Sequence, residues 1–423
     1  MKQSIITALD IGSSNVRCII AKEVGDGRLE ILGLGEYPSE GIEGGIVKDI
    51  QALSGCVAKA ISTAEKEGKT SANNIYCNIT GEHIRTQFGD GRISIPSETP
   101  NEPGEITQEH IEQVINDAKN SVKIQKGLER FRILHGIPHN FVIDNQDDIH
   151  NPVNMNGFHL IAKVYTILAE LTPLRNLSKC IQLAGYEINP ENFILNHIAI
   201  SESVLSEDER RLGALVLDIG GGTCDLSIYN RGSLEKILVL PMAGKNITED
   251  LAIGLKTTLG NAEYIKVEYG NALASSVDQT EEIDVEGISG RSTSRKTKFL
   301  VSHVIQHRVE EMLSLCYNKA KEFYTPELVT SGIILCGGTA KLKNIEVVLS
   351  EAFNLHVKIA TPDLSRLNGM ISRLEDPAYA TVVGILYYAA GKNNEPVSKG
   401  FTLPNIKGKK IVDKVKKILK DFT

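Results

Sequence analysis

Two aspartates, each at the end of an apolar run and each followed by the smallest side chains, are the residues best placed to do chemistry. Residues 8–20 read ALDIGSSNVRCII and residues 216–228 read VLDIGGGTCDLSI. With Asp10 set on Asp218 the patterns coincide: apolar run, Asp, Ile, Gly, two small residues, a short polar residue, apolar run. A strand feeding such a turn lets backbone N–H groups point at an anion, with no side chain in the way. The carboxylate at each strand end can hold a hydrated cation. Either copy alone also fits an ordinary β-hairpin. Two copies far apart in one chain point to a nucleotide site made by duplication. In it, Gly12, Ser13, Ser14 and Asn15 face Gly220, Gly221, Gly222 and Thr223 across bound phosphates, with Mg²⁺ between Asp10 and Asp218.

Two weaker signals join them. Residues 332–345, GIILCGGTAKLKNI, run an apolar strand into Gly337, Gly338 and Thr339, where paired glycines let a base or ribose lie against the backbone. In NAEYIKVEYG, Glu263 and Lys266 are spaced i, i+3 on one helix face. Alone they read as a surface ion pair; in this set they can hydrogen-bond a ribose.

The elements that must position these residues are α/β in rhythm. Strands and a helix near residues 51–67 alternate through residues 1–83. Residues 84–161 break that rhythm with the Pro/Gly-rich SIPSETPNEPGE, a helix near 108–122 and strands near 131–134 and 140–144. A helix near 173–183 returns to the first half, and a long apolar helix, 378–390, closes the second.

Length and composition agree with several domains. The chain has 423 residues, 41% of them hydrophobic, which suits two to four domains with sizeable cores. Its seven cysteines (18, 56, 77, 180, 224, 316 and 336) form no C-x-x-C pair and mostly sit in apolar stretches. They read as reduced core residues of a cytoplasmic protein, not as a zinc site or disulfide frame. The N-terminus has no signal-peptide pattern, and no apolar run approaches the ~18 residues of a spanning helix.

Charge is unevenly placed. The chain carries −7, yet residues 407–423, KGKKIVDKVKKILKDFT, hold seven lysines and two aspartates. An acidic body is a poor nucleic-acid binder. The basic tail calls for an anionic partner. Ile411, Val412, Val415, Ile418, Leu419 and Phe422 recur at helical spacing as one stripe, bordered by lysines that include Lys410, Lys414 and Lys417. Such a helix can lie in the headgroup plane of an anionic membrane. The plainer alternative is a terminal helix docked on the body or on a partner, which seldom needs so many lysines. Residues 392–408 read as its linker.

Two patterns mislead. His303 and His307 have metal-ligand spacing on a helix, but no third ligand is near in the sequence. GLGEYPSEG, 33–41, begins like a dinucleotide loop without the helix that should follow. There is no G-x-x-x-x-G-K-[ST].

The ordered set of two phosphate motifs and an adenosine motif resembles the actin-like ATPase superfamily, which includes the seventy-kilodalton heat-shock chaperones and sugar kinases. Within it, nearly the whole chain is similar to the FtsA family of bacterial division proteins. NITGEHIR (78–85), AISESVLSEDERRLG (199–213), LPMAGKNITED (240–250), PAYATVVGILYY (377–388) and the tail carry that likeness.

The resemblance implies a duplicated actin-like α/β fold with an inserted α+β subdomain and a C-terminal amphipathic helix. Residues 1–83 with 162–198 would form the first half and 84–161 the insertion. Residues 199–243 with 331–391 would form the second half, 244–330 its smaller subdomain and 409–423 the helix. It implies ATP and Mg²⁺, with Gly244 and Asn246 joining Glu263, Lys266 and Gly337–Thr339 around the nucleoside. It makes Glu202, just before the second phosphate loop, a candidate to orient water for a slow hydrolysis.

It further implies self-assembly, recruitment of later division proteins, and a peripheral place on the cytoplasmic face of the cell membrane at the division site. The C-terminal peptide of the tubulin-like FtsZ, which is acidic, would bind the smaller subdomain. Arg291, Arg295, Lys296, Lys298 and Arg308 are candidate contacts by charge, although an ordinary solvated loop is the default reading of the first four. A soluble sugar or acetate kinase is the alternative; it predicts a second substrate pocket, and the tail speaks against it. A chaperone would need a C-terminal peptide-binding β-domain. A rod-shape filament protein such as MreB is usually shorter and lacks this tail.

Overall fold

The computed structural model describes residues 4–25, 27–288 and 292–394. The amphipathic tail, most of the linker and Arg291 lie outside the described residues. Two sheets carry the repeated motif. In the first, six strands run in the order Phe193–Leu195, Ile75–Ile79, Ile5–Ile11, Asn15–Gly25, Arg28–Pro38, Leu367–Gly369. In the second, five run Ser233–Leu240, Cys224–Asn230, Ala214–Ile219, Ile333–Cys336, Val357–Ile359. Both are built on an antiparallel meander of three consecutive strands, and the first strand of each meander gains a parallel neighbour on its other side. The duplication read from thirteen residues thus extends to the topology of whole sheets.

Local sequence explains the framing helices. Asp49 caps the helix Ile50–Gly68 by accepting from the N–H groups of Gln51 and Ala52, and Lys69, in the left-handed region at φ 47°, ends it. This helix lies so close to strand Arg28–Pro38 that a Cβ on Gly33 or Gly35 would overlap the carbonyls of Ala64 or Ala60. The glycines of GLGEYPSEG therefore serve packing, not a dinucleotide.

A third sheet is fully antiparallel: Gln146–Ile149, Phe131–Ile143, His159–Glu170, Ile84–Ser94. Helix Gln108–Lys123 packs on it, around a separate core that includes Ile106, Val114, Phe141 and Leu160. One correction concerns strands 131–134 and 140–144. They are one continuous strand: Gly136 pairs with Thr166 and Pro138 with Val164, and the register against His159–Glu170 shifts at Leu134 and His139.

Two helices fill the space between the motif-bearing sheets. Asn196–Val204 buries every residue except Glu202. It crosses helix Ala380–Asn394, where Gly384 has no room for a side chain against the backbone of Ala199. Helix Ala380–Asn394 also packs on the strands Ile5–Ile11 and Ile75–Ile79. It runs to Asn394, past the expected end at 390 and into residues read as linker. The cores of the two halves are extensive, and all seven cysteines are free and buried within the structure. Among the described residues no helix is long and apolar enough to cross a membrane.

Candidate functional site

The two hairpins meet across a cleft of about 380 Å³. Their turns are built alike. Gly12 N–H donates to the Asn15 carbonyl at 3.1 Å, and Gly220 N–H to the Thr223 carbonyl at 3.0 Å. None of Gly12, Gly220, Gly221 and Gly222 has a positive φ. What demands small residues is space: a Cβ on Gly221 would overlap Ser14, and one on Gly222 would overlap Ser13. The tips of the two halves therefore touch.

Asp10 and Asp218 line this cleft at 6% and 7% exposure. A chain of amides joins them. Asn78 Nδ2 donates to Asp10 Oδ1 at 2.8 Å and to Asn196 Oδ1 at 3.2 Å. Asn196 Nδ2 donates to Asp218 Oδ2 at 3.3 Å and to Asp225 Oδ2 at 2.8 Å. Thr80 Oγ1 donates to the other Asp225 oxygen at 2.8 Å. Arg17 stands opposite Asp10 in the hairpin register and also lines the cleft.

Burial pushes Asp10 up to about 6, with Arg17 pulling against it and Glu36 adding to it. Asp218 is held well above the usual carboxylate range by burial and by the charges of Asp225 and Asp10. Buried oxygens that repel one another are the donor set a hard cation favours. Among the described residues no three acidic, cysteine or histidine groups converge on one point to ligate an ion directly. The residues present therefore fit Mg²⁺ held largely through water and ligand oxygens.

These carboxylates imply a pH dependence. Between pH 3.8 and about 6 folded Asp10 keeps its proton while the unfolded chain has lost it. Stability should therefore fall as pH rises through that window, and Asp218 acts in the same direction. Asp218→Asn, which can still accept from Asn196, should raise the nucleotide-free Tm at pH 7.5 by several degrees and flatten its pH profile. It should also weaken Mg·ATP binding. Thermal melts from pH 4 to 8, with and without Mg·ATP, measure all three, and a lower nucleotide-free Tm would contradict the argument.

The wall beside the second hairpin is also built from the second half. Gly337, at φ 88°, has its N–H on the Pro377 carbonyl at 3.1 Å, and a Cβ there would overlap Asp218. Gly338 and Gly244 line the wall, and Thr339 Oγ1 donates to the Gly220 carbonyl at 2.8 Å. Lys266 donates to Glu263 at 2.7 Å, to Thr248 at 2.9 Å and to the Gly244 carbonyl at 3.0 Å. The ion pair thus forms, and it forms at the cleft.

Several expected residues lie elsewhere. Asn246 does not line the cleft; its Oδ1 accepts from Ala243 N–H at 3.0 Å and caps the helix Gly244–Leu255. Glu202 is also outside it, ion-paired to Arg210 at 3.3 Å. Asn196 opens the same helix inside the cleft, and six residues carry Glu202 about 9 Å along the axis and to another face.

Among the basic candidates, Arg308 is committed. It grips Asp250 at 2.5 and 2.9 Å and Glu311 at 2.7 Å, tying helix Lys298–Ala320 to helix Gly244–Leu255. Lys298 pairs with Glu281 and lies over the Tyr269 ring. Arg295 sits 3.6 Å from Asp284, and Lys296 makes no ion pair among the described residues. Both are on the strand Ser294–Thr297, where a loop was expected. Arg308→Ala should therefore cost about 1–3 kcal/mol of stability, because Asp250 loses its charged partner; denaturant unfolding measures it. His303 and His307 place Nε2 atoms 3.2 Å apart on an exposed face, with no third ligand among the described residues.

Sequence reasoning missed Arg17, Asn78, Thr80 and Asn196. A usable signal existed for two of them. Asn78 lies one residue before the end of a parallel strand and Asn196 just after another, and the carboxyl ends of parallel strands are where α/β sheets bind ligands.

The model of cell division protein FtsA matches residues 215–384, and that of the SHS2 domain inserted in FtsA matches residues 81–168. The chain is similar to cell division protein FtsA of Pseudomonas aeruginosa, 32% identical over 93% of this chain and 91% of that one. It is also similar to FtsA of Escherichia coli K12, at 33% over 91% and 90%. Among solved structures it resembles a PilM–PilN type IV pilus biogenesis complex, with TM-score 0.63, 14% identity and coverage of 92% and 99%. It also resembles MreB5 of Spiroplasma citri bound to ADP, with TM-score 0.50, 16% identity and coverage of 92% and 99%. At such identities these two speak to the actin-like fold alone.

Proposed function

The chain belongs to the FtsA family of cell division proteins, and on that premise we propose that it is an ATP-binding, actin-like scaffold. On this reading it polymerises on the cytoplasmic face of the membrane, holds the FtsZ ring there and helps recruit later division proteins. The observation that carries the proposal is the pair of matched hairpins touching across one cleft, with Asp10 and Asp218 behind their tips. That MreB5 binds ADP on a similar fold supports it.

On this reading the turns Gly12–Asn15 and Gly220–Thr223 bind phosphates from opposite halves. Gly244, Glu263, Lys266 and Gly337–Thr339 hold the nucleoside. Mg²⁺, when bound with ATP, supplies charge neutralisation between phosphates and carboxylates. Asn78 and Asn196 hold Asp10 and Asp218 in position. Glu202, the candidate to orient water, lies outside the cleft on Arg210, which supports slow or weak hydrolysis. Because the halves meet at the ligand, ATP favours one relative orientation, and subunit contacts can differ with nucleotide state.

Membrane attachment belongs to the tail, Ile411, Val412, Val415, Ile418, Leu419 and Phe422 with Lys410, Lys414 and Lys417. Arg295 and Lys296 remain the better candidates for the acidic FtsZ peptide. The test is sedimentation of purified FtsZ with anionic vesicles, this chain and ATP. FtsZ should pellet only when all three are present. FtsZ left in the supernatant, with rapid phosphoryl transfer to a sugar or acetate instead, would replace this reading with the kinase.

A further inference from the structure

Arg17 is mounted in an unusual way. Its strand sets it directly across from Asp10, yet the nearest approach of the two side chains is 3.8 Å, too long for a hydrogen bond. The guanidinium is instead propped from behind. Nη2 pairs with Glu36 at 2.9 Å, and Cζ lies 5.0 Å from the centre of the Tyr379 ring. Tyr379 in turn donates its hydroxyl to Glu36 at 2.9 Å. Arg17 Nε is buried with no hydrogen-bond partner among the described residues.

A guanidinium braced from behind by Glu36 and Tyr379, on a side chain that lines the cleft, is built to meet an acceptor that arrives from the cleft. The geometry points to Arg17 as a phosphate-binding residue that shares the neutralising role of the divalent cation, so that ATP binds appreciably without metal and is preferred over ADP by charge. The assignment rests on the nucleotide reading of the cleft. An arginine cannot lose its charge in this pH range and presents a rigid fork. It therefore supplies fixed positive charge beside Asp10 whether or not Mg²⁺ is present.

The experiment measures Kd for mant-ATP and mant-ADP on the full chain, in saturating Mg²⁺ and in excess EDTA. The wild-type chain should lose no more than about tenfold in ATP affinity when metal is withdrawn. In Arg17→Gln the EDTA-to-Mg²⁺ ratio for ATP should widen by a further tenfold or more, and the ATP-over-ADP preference should shrink. A purely structural role would weaken both nucleotides equally in both buffers.

Glu36→Gln covers the case in which Arg17→Gln does not fold. With its counter-charge gone, Arg17 should bind ATP several-fold tighter in EDTA, a gain that misfolding cannot produce. An unchanged metal ratio in Arg17→Gln, or no gain in Glu36→Gln, overturns the assignment of Arg17 alone. A wild-type chain that binds neither nucleotide in either buffer overturns the nucleotide reading and this assignment together.

Discussion

Gly222→Val is expected to lower ATP affinity at least 100-fold while the melting temperature of the nucleotide-free chain moves by only a few degrees. The argument is steric. A Cβ at Gly222 already overlaps Ser13 and comes within 3.1 Å of the Gly44 backbone nitrogen. Two further methyl groups would force the hairpin tips apart. The strain falls between the halves rather than within either core, so both halves should stay folded. If both sets of N–H donors must reach the same phosphates, a shift of an ångström or so removes several charge-assisted hydrogen bonds, and 100-fold needs only about 2.7 kcal/mol. Gly55→Ala is the control. It lies in the helix Ile50–Gly68 with nothing near its Cβ, so it should leave ATP binding intact and add up to about 1 kcal/mol of stability. Fluorescent-nucleotide titration with thermal melts separates the two. Normal ATP affinity in Gly222→Val would show that the cleft binds without the closed contact seen here.

The second large effect is on membranes. Truncation after Asn405 should abolish co-sedimentation with vesicles rich in anionic lipid and leave nucleotide affinity unchanged. Each lysine near such a surface contributes roughly 1 kcal/mol, and the apolar stripe adds buried area. Losing seven lysines together with the apolar stripe should cost more than 100-fold in partitioning. The electrostatic share should vanish in neutral vesicles and fade with salt. A helix held by a partner protein would show neither dependence. Equal pelleting of the full and truncated chains would move the membrane contact onto the body.

The backbone of this site was legible because the motif residues do double duty. Asp10 and Asp218 end apolar strands, and the glycines and serines after them mark the turns, so sequence gave both the element and the chemistry. The helices read near 51–67 and 108–122 appear as Ile50–Gly68 and Gln108–Lys123, and the caps Asp49 and Thr107 fix where they start. What failed shares one cause. Asn246, Glu202 and Arg308 have functional types at plausible positions, but each is claimed by another group: Asn246 by the Ala243 N–H three residues back, Glu202 by Arg210 and Arg308 by Asp250. Conversely, Asn78 and Asn196 are single amides in apolar surroundings, marked only by their place at the carboxyl ends of parallel strands. Their role appears only when two strands far apart in sequence lie side by side.

The helix Ala380–Asn394 is the last described element before the lysine-rich residues 407–423, and it packs in the core between the two sheets. Its Gly384 contact with Ala199 couples it to the helix that begins at Asn196 in the cleft. If the tail is held by lipid, as proposed, a tug on it would reach the molecule at this packed helix rather than at a peripheral lobe. With filaments holding the body, as also proposed, tension between the two would be felt as a change in how firmly the cleft grips its ligand.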